Sequence, residues 1–309
     1  MPSGAYFASL LLQELRERNA AYAKQHALAH QFSYGEAPVV CYEPDGDKHG
    51  NFLPETYSAI RASASWLKRL AKVHTTARTV LPRNDRGFWA ELDSCNSSDA
   101  LLMNVFCCPG VFDDGRVLSM LGVDAIQTVA ERRNTLDQHA SAGDSLHSAS
   151  QSQRDETFTV PVFGFRARVP LANDRFDRTE VDMRLGTLLV EAKLTEADFQ
   201  SREREFVNAY RDFKDVFNRR DLPQTRERYL SYQLVRNVLA AYALDCSFCV
   251  LHDARRPDLR DAWYEVMRCV KLHDLRLRCK VLTWQELAEV LPRPLQSFLE
   301  EKYGIVAHL

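Results

Sequence analysis

The chain has 309 residues with a formal net charge of −2, 45% hydrophobic residues and 27% charged residues, as is ordinary for a soluble globular protein. No apolar run approaches the roughly 20 residues needed to cross a bilayer, and the N-terminus lacks the pattern of a signal peptide. Eight cysteines scattered through apolar segments fit free thiols in a reducing compartment, so we expect a cytoplasmic protein with no membrane partner.

Residues 1–84 are predicted to form a helical N-terminal extension, followed by a larger domain over residues 85–309. Apolar spacing predicts an amphipathic helix over Tyr6–Ala29. A loop rich in Gly, Pro and Asp is predicted over Glu43–Pro54, and a second helix over Glu55–Val73. We interpret this region as a helical lid, or as an attachment that binds DNA or a partner.

The larger domain is predicted to begin with a helix over Ser97–Cys107, capped by Ser97 or Ser98. A further helix is expected over Val123–Leu136. A serine-rich stretch follows, which cannot bury enough apolar surface to order itself. We therefore expect a flexible insertion at about residues 138–156.

The segment Thr179–Leu194 is predicted to be a β-hairpin, because apolar and polar residues alternate before Gly186 and an apolar strand follows it. If Leu185-Gly186 forms a two-residue turn, Asp182 faces Leu189 and Glu180 faces Glu191.

Side chains alternate faces along a strand, so Glu180, Asp182, Glu191 and Lys193 are expected on one face. Carboxylates side by side repel one another, and a divalent cation removes that repulsion. Magnesium prefers hard oxygen ligands of this kind, completed by waters and phosphate.

Strands and helices alternate on both sides of this hairpin. An upstream strand is predicted over Phe158–Val169. The segments predicted downstream are helices Asp198–Asn218 and Arg226–Leu244, strand Cys246–Leu251, helix Pro257–His273, strand Leu277–Thr283 and helix Gln285–Val290. This order indicates an α/β fold with helices packed on the faces of a central sheet.

Asp182, eight intervening residues and then Glu191-Ala192-Lys193 on an apolar strand resemble the PD-(D/E)XK nuclease superfamily, which has the restriction-endonuclease-like fold. The order strand, hairpin, helix, strand, strand is similar to that core over about residues 90–290, and Val181 stands where the family name has proline. The stretch Glu91 to Phe106 resembles a poorly characterised bacterial subfamily. Two similar triplets, Asp212-Phe213-Lys214 and Glu300-Glu301-Lys302, are interpreted as solvated helix faces.

The resemblance implies an endonuclease that hydrolyses DNA phosphodiester bonds with magnesium or manganese. It implies that Asp182, Glu191 and the backbone carbonyl of Ala192 hold the metal, with Lys193 beside the attacked phosphate. Glu91 and Glu180 are candidates for further metal ligands. Glu131 competes with Glu91 for the role of the acid from the first helix.

Supporting roles are assigned to polar and basic residues around the hairpin. Gln233, on the helix predicted after it, is expected to face the site as a polar residue does in relatives. Four arginines are candidates for sequence-independent contacts to DNA phosphates, namely Arg168, Arg175, Arg178 and Arg184. An enzyme that cuts both strands of DNA could need two active sites, so a homodimer is left open.

Two other classes of function remain open from sequence. One is a catalytically silent DNA-binding or scaffold protein on the same fold, and the other is an unrelated α/β interaction module. His26 and His30 have the spacing of zinc ligands but no third ligand, so we interpret them as surface residues. Cys246 and Cys249 are interpreted as buried apolar residues, although relatives of this superfamily hold iron–sulfur clusters.

Overall fold

A computed structural model describes residues 4–33, 37–72, 90–123 and 160–307. The N-terminal elements are α1 (Gly4–Gln25), β1 (His30–Phe32), β2 (Val40–Tyr42), β3 (Pro44–Asp45), β4 (Lys48–His49), α2 (Pro54–Ala62) and α3 (Ala64–Leu70). The predicted helix Glu55–Val73 is thus two helices, because Ser63 adopts an extended conformation between them. Within the described residues, no helix is long and apolar enough to cross a membrane.

The middle of the chain forms the first helix of the larger domain and the edge of the sheet. Its elements are a 3-10 turn (Glu91–Asp93), α4 (Ser98–Phe106), α5 (Arg116–Leu121), β5 (Val162–Arg166), β6 (Val169–Pro170), a 3-10 turn (Ala172–Asp174), β7 (Phe176–Asp177), β8 (Glu180–Leu185) and β9 (Leu188–Ala192). The predicted cap is confirmed, since the Ser97 hydroxyl accepts a hydrogen bond from the Ala100 N–H at 3.1 Å. The predicted helix Val123–Leu136, Glu131 and the insertion 138–156 lie outside the described residues from position 124 on.

The C-terminal part alternates helices with two further strands of the sheet. Its elements are β10 (Arg202–Glu203), α6 (Arg204–Asn208), α7 (Phe213–Val216), β11 (Arg228–Tyr229), α8 (Tyr232–Ala243), β12 (Ser247–His252), α9 (Pro257–Met267), α10 (His273–Leu277), β13 (Cys279–Thr283), α11 (Trp284–Ala288) and α12 (Arg293–Tyr303). The predicted alternation of strands and helices is confirmed in this region, with different bounds.

The central sheet has five strands in the order β13-β12-β9-β8-β5. Strands β5, β8 and β9 are antiparallel neighbours, whereas β12 runs parallel to both β9 and β13. Helices bury both faces of this mixed sheet. One apolar cluster joins β8 and β9 to α1, α4 and α12, and the other joins β9 and β12 to α8 and α9. The expectation of an α/β fold with a mixed central sheet is therefore confirmed.

The N-terminal region packs into this same core. Leu11 and Leu15 of α1 belong to the cluster that contains Met183 and Leu188 of the hairpin. Full burial of such a side chain contributes about 1.5–3 kcal/mol. The predicted boundary at residue 84 lies outside the described residues, so the division into two domains stays a prediction.

The predicted helix Asp198–Asn218 is wrong. The aromatic residues of this segment pack in the core, as those of an amphipathic helix would. They lie, however, in a loop and in the short helices α6 and α7. Gln200 has φ +58°, and β10 pairs with β11, which ends any continuous helix there. The same pairing removes the first turns of the predicted helix Arg226–Leu244, so α8 begins only at Tyr232. Tertiary contacts outweigh helix propensity in both segments.

The predicted helix Pro257–His273 and strand Leu277–Thr283 also have wrong bounds. Helix α9 ends at Met267, and a separate helix, α10, begins at His273 and includes Leu277. The strand therefore begins at Cys279.

Lys302 lies in the core rather than on the solvated face predicted for it. Its side chain is fully buried, and its Nζ donates to Asn19 Oδ1 at 2.6 Å. The Nζ also lies 3.8 Å from the centre of the Tyr42 ring. Burial places the pKa of Lys302 well below its ordinary value, because among the described residues no carboxylate offsets the lost hydration.

Replacement of Lys302 by methionine is expected to stabilise the protein at neutral pH by about 1–4 kcal/mol. Between the lowered folded pKa and the ordinary value near 10.5, the unfolded chain binds the extra proton, so native stability rises with pH. The gain of Lys302→Met should therefore shrink towards about pH 10. Urea unfolding at the two pH values measures this, with the exposed Lys24→Met as control. A stability difference between Lys302→Met and the native protein that does not change with pH would contradict the lowered pKa of Lys302.

Candidate active site

The hairpin of β8 and β9 turns one residue later than predicted. Leu185 pairs with Leu188, so the turn residues are Gly186 and Thr187. Gly186 has φ +56°, a conformation that glycine adopts without steric strain. The predicted turn at Leu185-Gly186 is wrong because it would put a bulky side chain at the position where the turn needs a positive φ.

The corrected register changes the pairing of the acidic residues. Leu185 lies opposite Leu188 and Arg184 opposite Leu189, so the predicted pairings of Asp182 with Leu189 and of Glu180 with Glu191 are wrong. The paired residues end at Met183 and Val190, and beyond them the Ala192 N–H donates to the Asp182 side chain. Val181 and Met183 pack into different apolar clusters, so the alternation of faces is interrupted at Asp182, and the shared face of the acids stays a prediction.

Asp182 lies in a cluster of like charges. Its Oδ2 accepts a hydrogen bond from the backbone N–H of Ala192 at 2.8 Å. Burial raises the pKa of Asp182 well above its usual range, and the charges of Glu191 and Asp99 raise it further. The ammonium of Lys193 acts in the opposite direction without cancelling them.

Glu191 is buried and is positioned by α8. Its Oε2 accepts a hydrogen bond from Asn237 Nδ2 at 2.7 Å and lies 3.8 Å from Arg236 Nη2. Asn237 Oδ1 in turn accepts hydrogen bonds from Arg236 Nε at 3.0 Å and Nη2 at 2.9 Å. The other oxygen, Oε1, forms an ion pair with Lys193 Nζ at 2.9 Å.

Lys193 follows directly after β9, and its backbone is fixed on both sides. Its N–H donates to the Leu251 carbonyl at 2.8 Å, and its carbonyl accepts from Trp284 Nε1 at 3.0 Å. Burial alone lowers the pKa of Lys193, but the charges of Glu191, Glu196 and Asp182 hold it above its ordinary value. The side chain therefore stays an ammonium at neutral pH.

The loop after Lys193 is held by a fully buried arginine. Arg256 Nη1 donates to the carbonyls of Leu194 at 3.1 Å and Glu196 at 2.8 Å, and Nη2 donates to that of Ala197 at 3.3 Å. Glu196 also accepts a hydrogen bond from the Ser98 hydroxyl at the start of α4. These bonds fix the position of α4 relative to the end of β9.

Asp99, in the first turn of α4, is the acid that sequence reasoning missed. It is buried, and its charge raises the pKa of Asp182. An acid two residues after a serine cap is common at the start of a helix. The spacing of Asp99 after Ser97 was therefore the only sequence feature that distinguished it. The structure places Asp99, rather than Glu91, beside the hairpin acids.

Glu91 and Glu180 lie at the border of this cluster. Glu91 Oε2 contacts Lys72 Nζ at 3.0 Å, and the same Nζ lies 2.8 Å from Asp99 Oδ2. Glu180 is partly exposed and accepts a hydrogen bond from Arg69 Nη1 at 3.1 Å. Both candidate ligands are thus paired with cations.

Comparison with protein families gives one match, described as restriction endonuclease associating with ARP, which covers residues 20–304. The chain belongs to this family. Membership agrees with the restriction-endonuclease resemblance of the hairpin, and it suggests a nuclease-like function and interaction with DNA. Comparison with curated proteins and with solved structures finds no match.

Gln233 lies on the same side of α8 as Asn237, one turn nearer the start of the helix. Its backbone N–H donates to the Phe199 carbonyl at 3.0 Å. Its Oε1 is buried and has no hydrogen-bond partner among the described residues. A free amide oxygen next to a helix turn that contacts Glu191 is compatible with the predicted supporting role, which stays a prediction.

Three of the four predicted DNA-binding arginines, Arg168, Arg175 and Arg178, are exposed in and around β6 and β7. The Arg168 guanidinium stacks 4.9 Å from the centre of the Phe176 ring. Arg184 is half-buried, stacks on the Phe165 ring at 4.9 Å and donates to the Gly186 carbonyl at 2.8 Å. Arg184 is thus half-buried and held by a ring and a carbonyl, whereas Arg168 only stacks on a ring and is exposed.

The donor set fits a magnesium ion that keeps several waters better than a cage made of protein alone. Within the described ranges, no three His, Cys, Asp or Glu side chains form a group that could hold a metal ion. Magnesium commonly takes only one or two carboxylates together with waters and substrate phosphates. Asp182 and Glu191 would be those two, and an ion held there would share Glu191 Oε1 with the Lys193 ammonium, which lies 2.9 Å from it.

The histidine and cysteine pairs agree with their interpretation as structural residues. His26 Nε2 lies 2.7 Å from Glu301 Oε1, and His30 Nδ1 lies 2.8 Å from the Leu28 carbonyl. Cys246 and Cys249 are buried free thiols.

Replacement of Asp182 by asparagine is expected to raise the free energy of unfolding by about 1 kcal/mol, because it relieves repulsion among buried carboxylates. Asp177→Asn is the matched contrast. Asp177 is also buried, but hydrogen bonds from Thr179 and Tyr210 lower its pKa in spite of that burial. Its replacement should destabilise the protein by about 1–3 kcal/mol. Urea unfolding in EDTA measures both, and destabilisation by Asp182→Asn would contradict the expectation.

Proposed function

We propose that the chain is a magnesium- or manganese-dependent endonuclease of the PD-(D/E)XK type that hydrolyses DNA phosphodiester bonds. The observation that carries the proposal is the buried contact of Lys193 with Glu191, close to Asp182, whose carboxylate accepts a hydrogen bond from the intervening Ala192 N–H. Membership of a restriction-endonuclease family supports the same chemistry. Asp182, Glu191 and the carbonyl of Ala192 are the proposed metal ligands, with Asp99 as a third nearby acid.

A metal bound there would supply Lewis acidity and a water of lowered pKa. Lys193 keeps its proton at neutral pH, so it is a hydrogen-bond donor and a fixed positive charge rather than a base. Its role is to orient the phosphate and to offset the charge that develops on it. Asn237 and Arg236 hold Glu191 in place, so the carboxylate does not have to reorganise.

The proposed contacts to DNA outside the scissile phosphate come from exposed arginines. Arg168, Arg175 and Arg178 are free of carboxylate partners among the described residues and are suited to phosphate oxygens. Such contacts would make binding independent of sequence and sensitive to salt. Arg184 is a weaker candidate because it is half-buried and its guanidinium already donates to the Gly186 carbonyl.

The alternative is a catalytically silent DNA-binding or scaffold protein on the same fold. A protein that has lost cleavage has no need to keep a buried lysine next to two carboxylates. The intact contact of Lys193 with Glu191 therefore favours the enzyme.

Cleavage of supercoiled plasmid with magnesium, with manganese or with EDTA tests the proposal. The native protein should nick or linearise the plasmid only with a metal. Lys193→Ala should lower the rate by about a hundredfold or more, because it removes the charge beside the phosphate. Lys214→Ala is the matched control, since Lys214 is an exposed lysine two residues after an aspartate. Cleavage by Lys193→Ala at the native rate would refute the assignment.

A further inference from the structure

Two cations from the N-terminal region reach into the acidic cluster. Arg69 Nη2 lies 2.8 Å from Asp99 Oδ2, and Arg69 Nη1 lies 3.1 Å from Glu180 Oε2. Lys72, just after α3, places its Nζ 2.8 Å from the same Asp99 oxygen and 3.0 Å from Glu91 Oε2. One acid of the cluster thus binds two cations supplied from outside the sheet.

Helix α3 is held by these ion pairs and by two partly buried residues, Trp66 and Leu70, which pack against an apolar cluster formed with α2 and α4. None of its residues is fully buried, and Leu67 is 46% exposed. Trp66 adds one hydrogen bond, from its Nε1 to the Pro161 carbonyl at 3.0 Å. The contacts of α3 with the acidic cluster itself depend on the charge of the acids.

The sheet leaves space for the guanidinium of Arg69. Gly164 of β5 has φ +64°, and a Cβ there would overlap Arg69 Nη1 and approach Glu180 Oε2. The five-stranded sheet thus has a gap in its side-chain layer beside Asp182, and an arginine from another part of the chain fills it.

The position of Arg69 suits two successive partners. Burial lowers the pKa of Arg69, but the charges of Asp99 and Glu180 outweigh it and keep the group charged. Its Nε is buried and makes no hydrogen bond within the described residues. Guanidinium groups bind carboxylates and phosphates with the same forked geometry. An arginine released by the acids would therefore find an equivalent partner in a phosphate.

We propose that α3 supplies part of the active site. Arg69 and Lys72 offset the acidic cluster in the metal-free protein, and they bind a phosphate of the DNA substrate once a divalent cation occupies the carboxylates. This inference rests on the proposed nuclease function. It makes the N-terminal region a source of substrate-binding residues and makes metal and these cations competitors for the same negative charge.

Calorimetric titration of the full chain with manganese, without nucleic acid, tests the competition. Arg69→Met should bind manganese about tenfold more tightly than the native protein, because a competing positive charge is gone. Lys68→Met is the matched control, since Lys68 is an exposed lysine of the same helix, and it should leave the affinity unchanged. Lys72→Met gives the same test if Arg69→Met does not fold, as judged by thermal unfolding.

Binding of a fluorescent DNA duplex in calcium, which is expected to support binding without cleavage, tests the second step. Arg69→Met should weaken duplex binding about tenfold, although it strengthens metal binding. Unchanged manganese affinity or unchanged duplex affinity would overturn the inference. Asp182→Asn separates the two proposals. If Asp182→Asn loses manganese binding but Arg69→Met has no effect, only this inference is refuted. If Asp182→Asn binds manganese as tightly as the native protein, the proposed function is refuted.

Discussion

The repulsion between two neighbouring carboxylates, the partly buried Asp182 and the buried Glu191, is the constraint around which this structure is arranged. They belong to adjacent strands, and the charge of Glu191 raises the pKa of Asp182. Positive charge therefore converges on them from three separate parts of the chain: Lys193 from the end of β9, Arg236 from α8, and Arg69 beside Asp99 from α3. A fold without a use for negative charge at this place would have a simpler solution in two apolar residues.

The residues of the site differ in how firmly they are held. Glu191 and Lys193 lie in or next to a strand buried on both faces, and Trp284 and Arg256 fix the backbone that follows. The cations of α3 come from a helix with no buried residue. The acids are thus positioned before any ligand arrives, whereas part of the charge that balances them is on a helix whose residues are at most partly buried.

The sequence predicted the hairpin and the alternation of strands and helices, because these follow from periodicities of two and 3.6 residues. It did not predict how the segment 198–231 breaks into short pieces, since its aromatic spacing fits a helix as well as the irregular backbone that is present. Asp99 and Arg69 were missed for another reason. Their contacts join segments far apart in the chain, and neither residue departs from what a helix terminus or surface normally contains.

Gly164 has a consequence for how the sequence can vary. A side chain at this position and the guanidinium of Arg69 would occupy the same space. The φ of +64° disfavours any side chain at position 164 whatever residue stands at position 69, and the guanidinium, as the end of a flexible side chain, could shift away from a Cβ. Glycine is therefore expected to persist at position 164 among relatives even where residue 69 differs.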